Sequence, residues 1–303
     1  MRLLKVLSIA LAAGALILFA VVLVLQIKNR DHLAPVISIS NDVIELSVND
    51  PVGDILKGVT AQDEKDGDVT FSLMVENLSS FVAPGERIAT IAAFDQDYHV
   101  AKSNLVVRYT DYEKPRFTLT APLSFVQGTE PTAITSSLTA WDCLDGDVTR
   151  RISRAIANEG NPFNSNVEGY YPVTFSVSNS AGDMERFTAT VEIYDPTRAD
   201  LPRIALRESL VYLPVGSAFN PLDFIAQVQV NGSVYQPYEG TLTNVNLIDR
   251  GVSLSGDDQY PWEKIQVDSP VDMQTPDWYE VSYTVESAAG TMRTAYLLVC
   301  VEE

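Results

Sequence analysis

Two hydrophobic patterns divide the chain. From Val6 to Ile27, 22 residues pass without a charge, after Arg2 and Lys5 and before Lys28 and Arg30. Beyond Pro35 no apolar run is that long. Hydrophobic and polar residues alternate instead, in short stretches broken by Gly, Pro, Asn and Asp, and that period of two predicts half-buried strands. The alternation restarts at three prolines: PVISISNDVIELSV at Pro35, PRFTLTAPLSFV at Pro115 and PRIALRESLVYLPVG at Pro202. Each restart follows a short polar connector: KNRDHLA, DYEK and DPTRADL. Linkers of a few residues are too short for free tumbling. The expected architecture is all-β, three tandem sandwiches over 35–111, 115–195 and 202–303. The third carries an insertion at about 246–277, read as an exposed loop or an extra hairpin.

The first run is expected to be a membrane helix over residues 6–27, with residues 1–5 as a cytoplasmic tip. About 20 apolar residues cross a bilayer core, whereas the apolar region of a cleavable signal is about 7–15 residues. Phe19–Ile27 offers no small-residue cleavage site, and no Cys follows that could carry a lipid. Basic residues flank the run almost equally, so the positive-inside rule scarcely decides orientation. The strand-rich, acidic bulk places the C-terminal part outside the cell.

Each segment also closes alike. GYYPVTFSVSNSAGDMERFTATVEIYD and DWYEVSYTVESAAGTMRTAYLLVCV are alternating strands around a small-residue turn, Ala181-Gly182 or Ala289-Gly290. The first segment has a looser turn near Asp95–His99. A second shared feature is acidic. TAQDEKDGDVT (Thr60–Thr70) and TAWDCLDGDVT (Thr139–Thr149) agree at eight of eleven positions. In the third segment the aligned residues are Val228 for Asp63, Asn231 for Asp66, Gly232 for Gly67 and Ser233 for Asp68. Gly and the apolar residues persist there and the carboxylates do not, so the charges are optional to the fold.

Two readings of those carboxylates stand. Asp63, Asp66 and Asp68, with Asp142, Asp145 and Asp147, are candidate calcium ligands, since calcium takes six to eight oxygens and is often served by one acidic loop. Their spacing at positions 1, 4 and 6 is not that of an EF-hand, whose acids fall at 1, 3 and 5. Alternatively, Asp and Gly simply build a tight turn, the Asp side chains accepting backbone amides.

Composition narrows the rest. The net charge of −19 argues against a nucleic-acid partner, which calls for a basic face. Two His and two Cys do not support zinc sites, and H-E-x-x-H, G-x-S-x-G and Walker patterns are missing. Cys300 reads as a buried strand residue; Cys143 lies in an acidic turn. A duplicated pair of acids in a surface turn lacks the apolar pocket that would raise one pKa for glycoside hydrolysis. No enzyme activity and no required cofactor are expected. Aromatic residues offer a sugar-binding alternative, with the third segment as the binding head: Trp262 beside Tyr260 in the insertion, and Trp141 in the second acidic turn. Trp278 reads as core packing between sheets.

The motif Ala-x-Asp-x-x-Asp-Gly-Asp-Val-Thr after a Pro-initiated strand, followed by a Gly-Tyr-x-Val-Thr-Phe strand and a small turn, resembles bacterial immunoglobulin-like repeats. These occur in surface proteins of Gram-positive bacteria and in one group of insecticidal crystal proteins, and are similar to hyalin-type repeats. The resemblance covers 35–195 well and 202–303 weakly. It implies Ig-like sandwiches serving as stalk, spacer or adhesion module. Such a module would join the membrane through its helix to an extracellular protein or glycan.

Overall fold

The computed structural model describes residues 2–28, 33–156, 163–198, 201–248 and 258–303; in the N-terminal helix the described side chains are those of residues 8 and 10–24. The chain divides into two compact units, Met1–Glu113 and Lys114–Glu303.

The first unit holds the helix Arg2–Lys28 and one sandwich. Among the described residues, no helix is long and apolar enough to cross a membrane. The expected span over 6–27 is therefore not recovered as one: its ends fall on side chains outside the described set.

In the sandwich, Val36–Ile39 pairs antiparallel with Val59–Asp63, which turns back onto Gly67–Asp68. Val43–Leu46 crosses to the other sheet and pairs parallel with Val100–Tyr109. Glu86–Phe94 and Met74–Ala83 complete that sheet. Alternation directs Val59, Ala61, Ala89, Ile91, Leu105 and Val107 inward, and all are buried.

The second unit repeats this plan twice. Its first sandwich sets Arg116–Leu119, Leu138–Asp142 and Gly146–Asp147 against Ser124–Val126, Met184–Tyr194, Gly169–Ser178 and Ser153–Ile156. Its second sets a five-stranded sheet against Leu210–Pro214, Met292–Glu302, Asp277–Glu286 and Ile265–Asp268. Each has its own buried cluster, one around Phe117, Phe175 and Phe187, the other around Val228, Leu242, Tyr283 and Leu297. The paired sheets agree with the all-β sandwich expectation. Packing nevertheless yields two units, because Leu298 of the third sandwich is buried with the core of the second.

The expected insertion is only partly a loop. Residues 249–257 lie outside the described set. Gln259–Tyr260 adds an edge strand to the five-stranded sheet. Ile265–Asp268 is a regular member of the opposite sheet, in the place Ser153–Ile156 takes in the second sandwich.

Candidate functional site: the acidic turns and the sandwich junction

The acidic turns are built from the backbone outward. Gly67 and Gly146 have φ of 76° and 71°, left-handed values that a side chain makes costly. In the first turn, Asp63 Oδ1 accepts the N–H groups of Lys65 and Asp66 at 2.9 and 2.8 Å. Asp68 Oδ1 accepts the Thr70 N–H at 2.9 Å. Asp142 Oδ1 repeats this with Leu144 and Asp145, and Asp147 with Thr149. The Thr70 and Thr149 bonds hold the Asp68 and Asp147 carboxyls below the usual carboxylate range.

The middle carboxylate of each turn reaches the closing hairpin. Asp66 Oδ2 accepts the Gln96 N–H at 2.9 Å. Asp145 accepts the Ser180 N–H and hydroxyl, both at 2.6 Å, and pairs with Arg151. Burial alone would push the Asp145 carboxyl up, but Ser180 and Arg151 outweigh it and hold it down. The two hairpins correspond position by position. Asp95 N–H donates to His99 O as Asn179 N–H donates to Asp183 O, so Asp95 stands where the second sandwich has Asn179. Asn179 Nδ2 donates to the fully buried Asp142 Oδ2 at 3.1 Å. Asp63, 6% exposed, leaves Oδ2 without a hydrogen-bond partner, while Asp95 Oδ2 meets His99 Nδ1 at 2.7 Å.

The third sandwich shows why it has no acids here. Its turn is a two-residue hairpin, with Val230 opposite Ser233 and Asn231 and Gly232 both at positive φ, 51° and 81°. Asn-Gly is the favoured pair for that geometry. The longer turns of the other two sandwiches, with Asp63 opposite Gly67, have extra amides to satisfy, and their first Asp does so.

Each proposed calcium carboxylate is thus engaged within the fold. Among the described residues, no group of three or more His, Cys, Asp or Glu side chains is placed to hold a metal ion.

The aromatic candidates lie elsewhere than a binding head requires. Tyr260 is 8% exposed and belongs to the core of the third sandwich. Trp262 packs against that core, and its indole N–H donates to Gly240 O at 3.1 Å. The sequence read this pair as exposed because residues 246–277 looked like an exposed loop or an extra hairpin; strand pairing buries Tyr260, and Trp262, in the short helical turn that follows, is half-buried against the same core. Trp141 is 56% exposed. Burial raises the Cys300 thiol to about 12, which leaves it protonated and unreactive at neutral pH.

The sequence gives little sign of the junction between the second and third sandwiches. Trp278 was expected in a core between sheets. It lies instead at this junction, its ring stacked on Phe187 at 4.7 Å and its N–H donating to Glu185 at 2.7 Å. The Tyr212 hydroxyl accepts from Phe117 N–H at 2.9 Å and donates to Phe117 O at 3.1 Å. Arg293 forks onto Glu192 at 2.7 and 2.9 Å, both side chains mostly buried. Burial pulls the Arg293 guanidinium down, but Glu192 outweighs it. Thr294 N–H donates to the Tyr170 hydroxyl at 2.9 Å. The joint combines aromatic stacking with a satisfied ion pair, which fixes orientation as well as contact.

No family model matches the chain, and no curated protein matches it. Solved structures do show slight likeness. The M60 catalytic domain with two CBM51 domains of Clostridium perfringens ZmpB is 10% identical over 90% of this chain and 31% of its own, at a TM-score of 0.21. Drosophila N-cadherin EC1-4 is 12% identical over 80% and 63%, at 0.21. A lipoprotein of Bacteroides thetaiotaomicron is 14% identical over 61% and 98%, at 0.22. The chain spans less than two thirds of the first two, and likenesses this slight carry no argument about activity or ligand.

Proposed function

We propose that this chain is a non-catalytic surface protein, held to the membrane by its N-terminal segment, that displays Ig-like sandwiches outside the cell as an adhesion or spacer module. The observation that carries this reading is the junction of the second and third sandwiches. A buried ion pair, an indole stack and a shared core join them, so the second unit can hold a surface at a fixed orientation rather than on a flexible tether. The carboxylates of the acidic turns are taken up with bracing corners, in keeping with a scaffold. Anchoring is supported by the 22 uncharged residues of Val6–Ile27.

An epitope tag placed after Glu303 tests the reading in cells expressing the full chain. Antibody should label intact cells, and the protein should sediment with membranes. Removal of residues 2–28 should release it into the soluble or culture fraction. A tag reached only after permeabilisation would overturn the display reading.

A further inference from the structure

A pocket of about 180 Å³, partly open to solvent, lies at the junction of the second and third sandwiches. The space is ample for several waters or one small solute. Leu119, Leu123, Ile204 and Leu298 supply apolar wall. Glu192 and Arg293 also line it, but they satisfy each other. Two further charges of opposite sign do not.

Glu280 lines the cavity and accepts the N–H and the hydroxyl of Thr190, each at 2.6 Å. Those bonds use two of the roughly four acceptor positions of a carboxylate. Among the described residues it has no cationic partner. Arg203, exposed on the strand Arg203–Leu206, lines the same cavity and has no side-chain partner among the described residues. The two do not close on each other. A partly buried carboxylate without a counter-ion is costly, and a free guanidinium fork matches a carboxylate. The cavity is therefore lined by a carboxylate, a guanidinium and an apolar wall, at a sandwich junction of the kind that commonly holds small ligands.

We propose that this cavity binds a small zwitterion of the α-amino-acid class, its ammonium on Glu280, its carboxylate on Arg203 and a short apolar side chain against Leu119 and Ile204. The site depends on the second unit alone and stands whether or not the chain is anchored in a membrane.

Calorimetric titration of the full chain with L-valine and L-leucine tests it, with valine methyl ester (no carboxylate) and N-acetylvaline (no ammonium) as probes of each end. The free amino acids should bind saturably and both derivatives at least about tenfold more weakly, the loss expected for one charge-assisted contact. Arg203→Gln and Glu280→Gln should each weaken valine to a similar degree. Arg203 is exposed and Gln is isosteric with Glu280, so both variants should fold, which circular dichroism checks. Absence of saturable binding by either amino acid would make the cavity a hydrated crevice only. Binding unaffected by both substitutions, or equally strong for both derivatives, would overturn the ligand class.

Discussion

Asn179 donates its side-chain N–H to Asp142 inside the second sandwich, and the corresponding pair in the first is two acids, Asp95 and Asp63. Asp95 lacks the amide N–H that Asn179 gives, and Asp63 Oδ2 is left buried and unpartnered. A buried unsatisfied acceptor costs about 1–3 kcal/mol. Asp95→Asn should therefore stabilise the first sandwich by about 1 kcal/mol, part of the gain being offset by the lost contact with His99. The reverse exchange, Asn179→Asp, should destabilise the second by roughly 2 kcal/mol. Native-state hydrogen exchange at Ile91 and Phe175 reads each sandwich separately. A destabilised Asp95→Asn protein would show that the first sandwich satisfies Asp63 by another route.

The turn glycines make a prediction about backbone alone. A Cβ at Gly146 would meet nothing within 4 Å, yet φ there is +71°. Gly146→Ala should cost about 1–2 kcal/mol through left-handed strain. Gly53 is equally open but has no positive φ. Gly53→Ala should be neutral or slightly stabilising, because it restricts the unfolded chain. Equal effects in urea denaturation would count against the strain account.

Calcium offers a direct choice between the two readings of the DGDVT turns. Binding would have to gather the carboxylate oxygens that the backbone bonds of Asp63, Asp66 and Asp68, or of Asp142, Asp145 and Asp147, leave over, and those bonds already hold the side chains in their turns. Six to eight oxygens would also be needed. The expected melting temperature of the full chain is the same in calcium and in chelator. A calcium-dependent rise that disappears in Asp66→Ala or Asp145→Ala would restore the metal reading.

Much of the fold was legible because strand alternation is a local signal: Val59, Ala61 and Asp63 point one way whatever lies far along the chain. The acidic turn was legible as a turn for the same reason, and its loss from the third sandwich follows from the shorter Asn231-Gly232 hairpin. The junction was not legible. Trp278 meets Glu185, and Arg293 meets Glu192, across 93 and 101 residues of sequence. Trp278 and Glu192 occupy outward positions on their strands, and Glu185 and Arg293, opposite the buried Val177 and Val285, are charged residues at core-facing register positions near their strand ends, which the alternation alone does not explain. Tyr260 and Trp262 misled in the opposite sense, since a polar stretch rich in Asp and Pro concealed an edge strand and a short helical turn that set them against a core.

That junction should behave as one coupled element. Arg293→Met would leave Glu192 buried without its cation, at a cost of about 3 kcal/mol. The double variant Glu192→Leu/Arg293→Met should recover most of the loss, because no charge is then stranded. Scanning calorimetry of the single variant should separate the unfolding of the second and third sandwiches. An unchanged profile would mean that Trp278, Tyr212 and Leu298 hold the joint without the ion pair.

Glu280 supplies a pH test with a definite sign. Burial raises its carboxyl above the usual range, and the Thr190 bonds only partly offset this. A carboxyl with a folded pKa above its unfolded value, roughly 4.3, binds its proton more tightly when folded. Stability then falls as pH rises from the unfolded value through the folded one, and stays lower beyond it. Glu280→Gln keeps the shape and an acceptor for Thr190 but cannot ionise. It should be more stable than the parent at neutral pH, and the difference should shrink as the medium becomes acid. Denaturation midpoints for both proteins across that range check the sign. A parent stabilised relative to Glu280→Gln at neutral pH would mean that the ionised carboxylate gains more from Thr190 and its surroundings than burial costs it. A neutral-pH cost is what the proposed ligand site requires, since an arriving ammonium would relieve it.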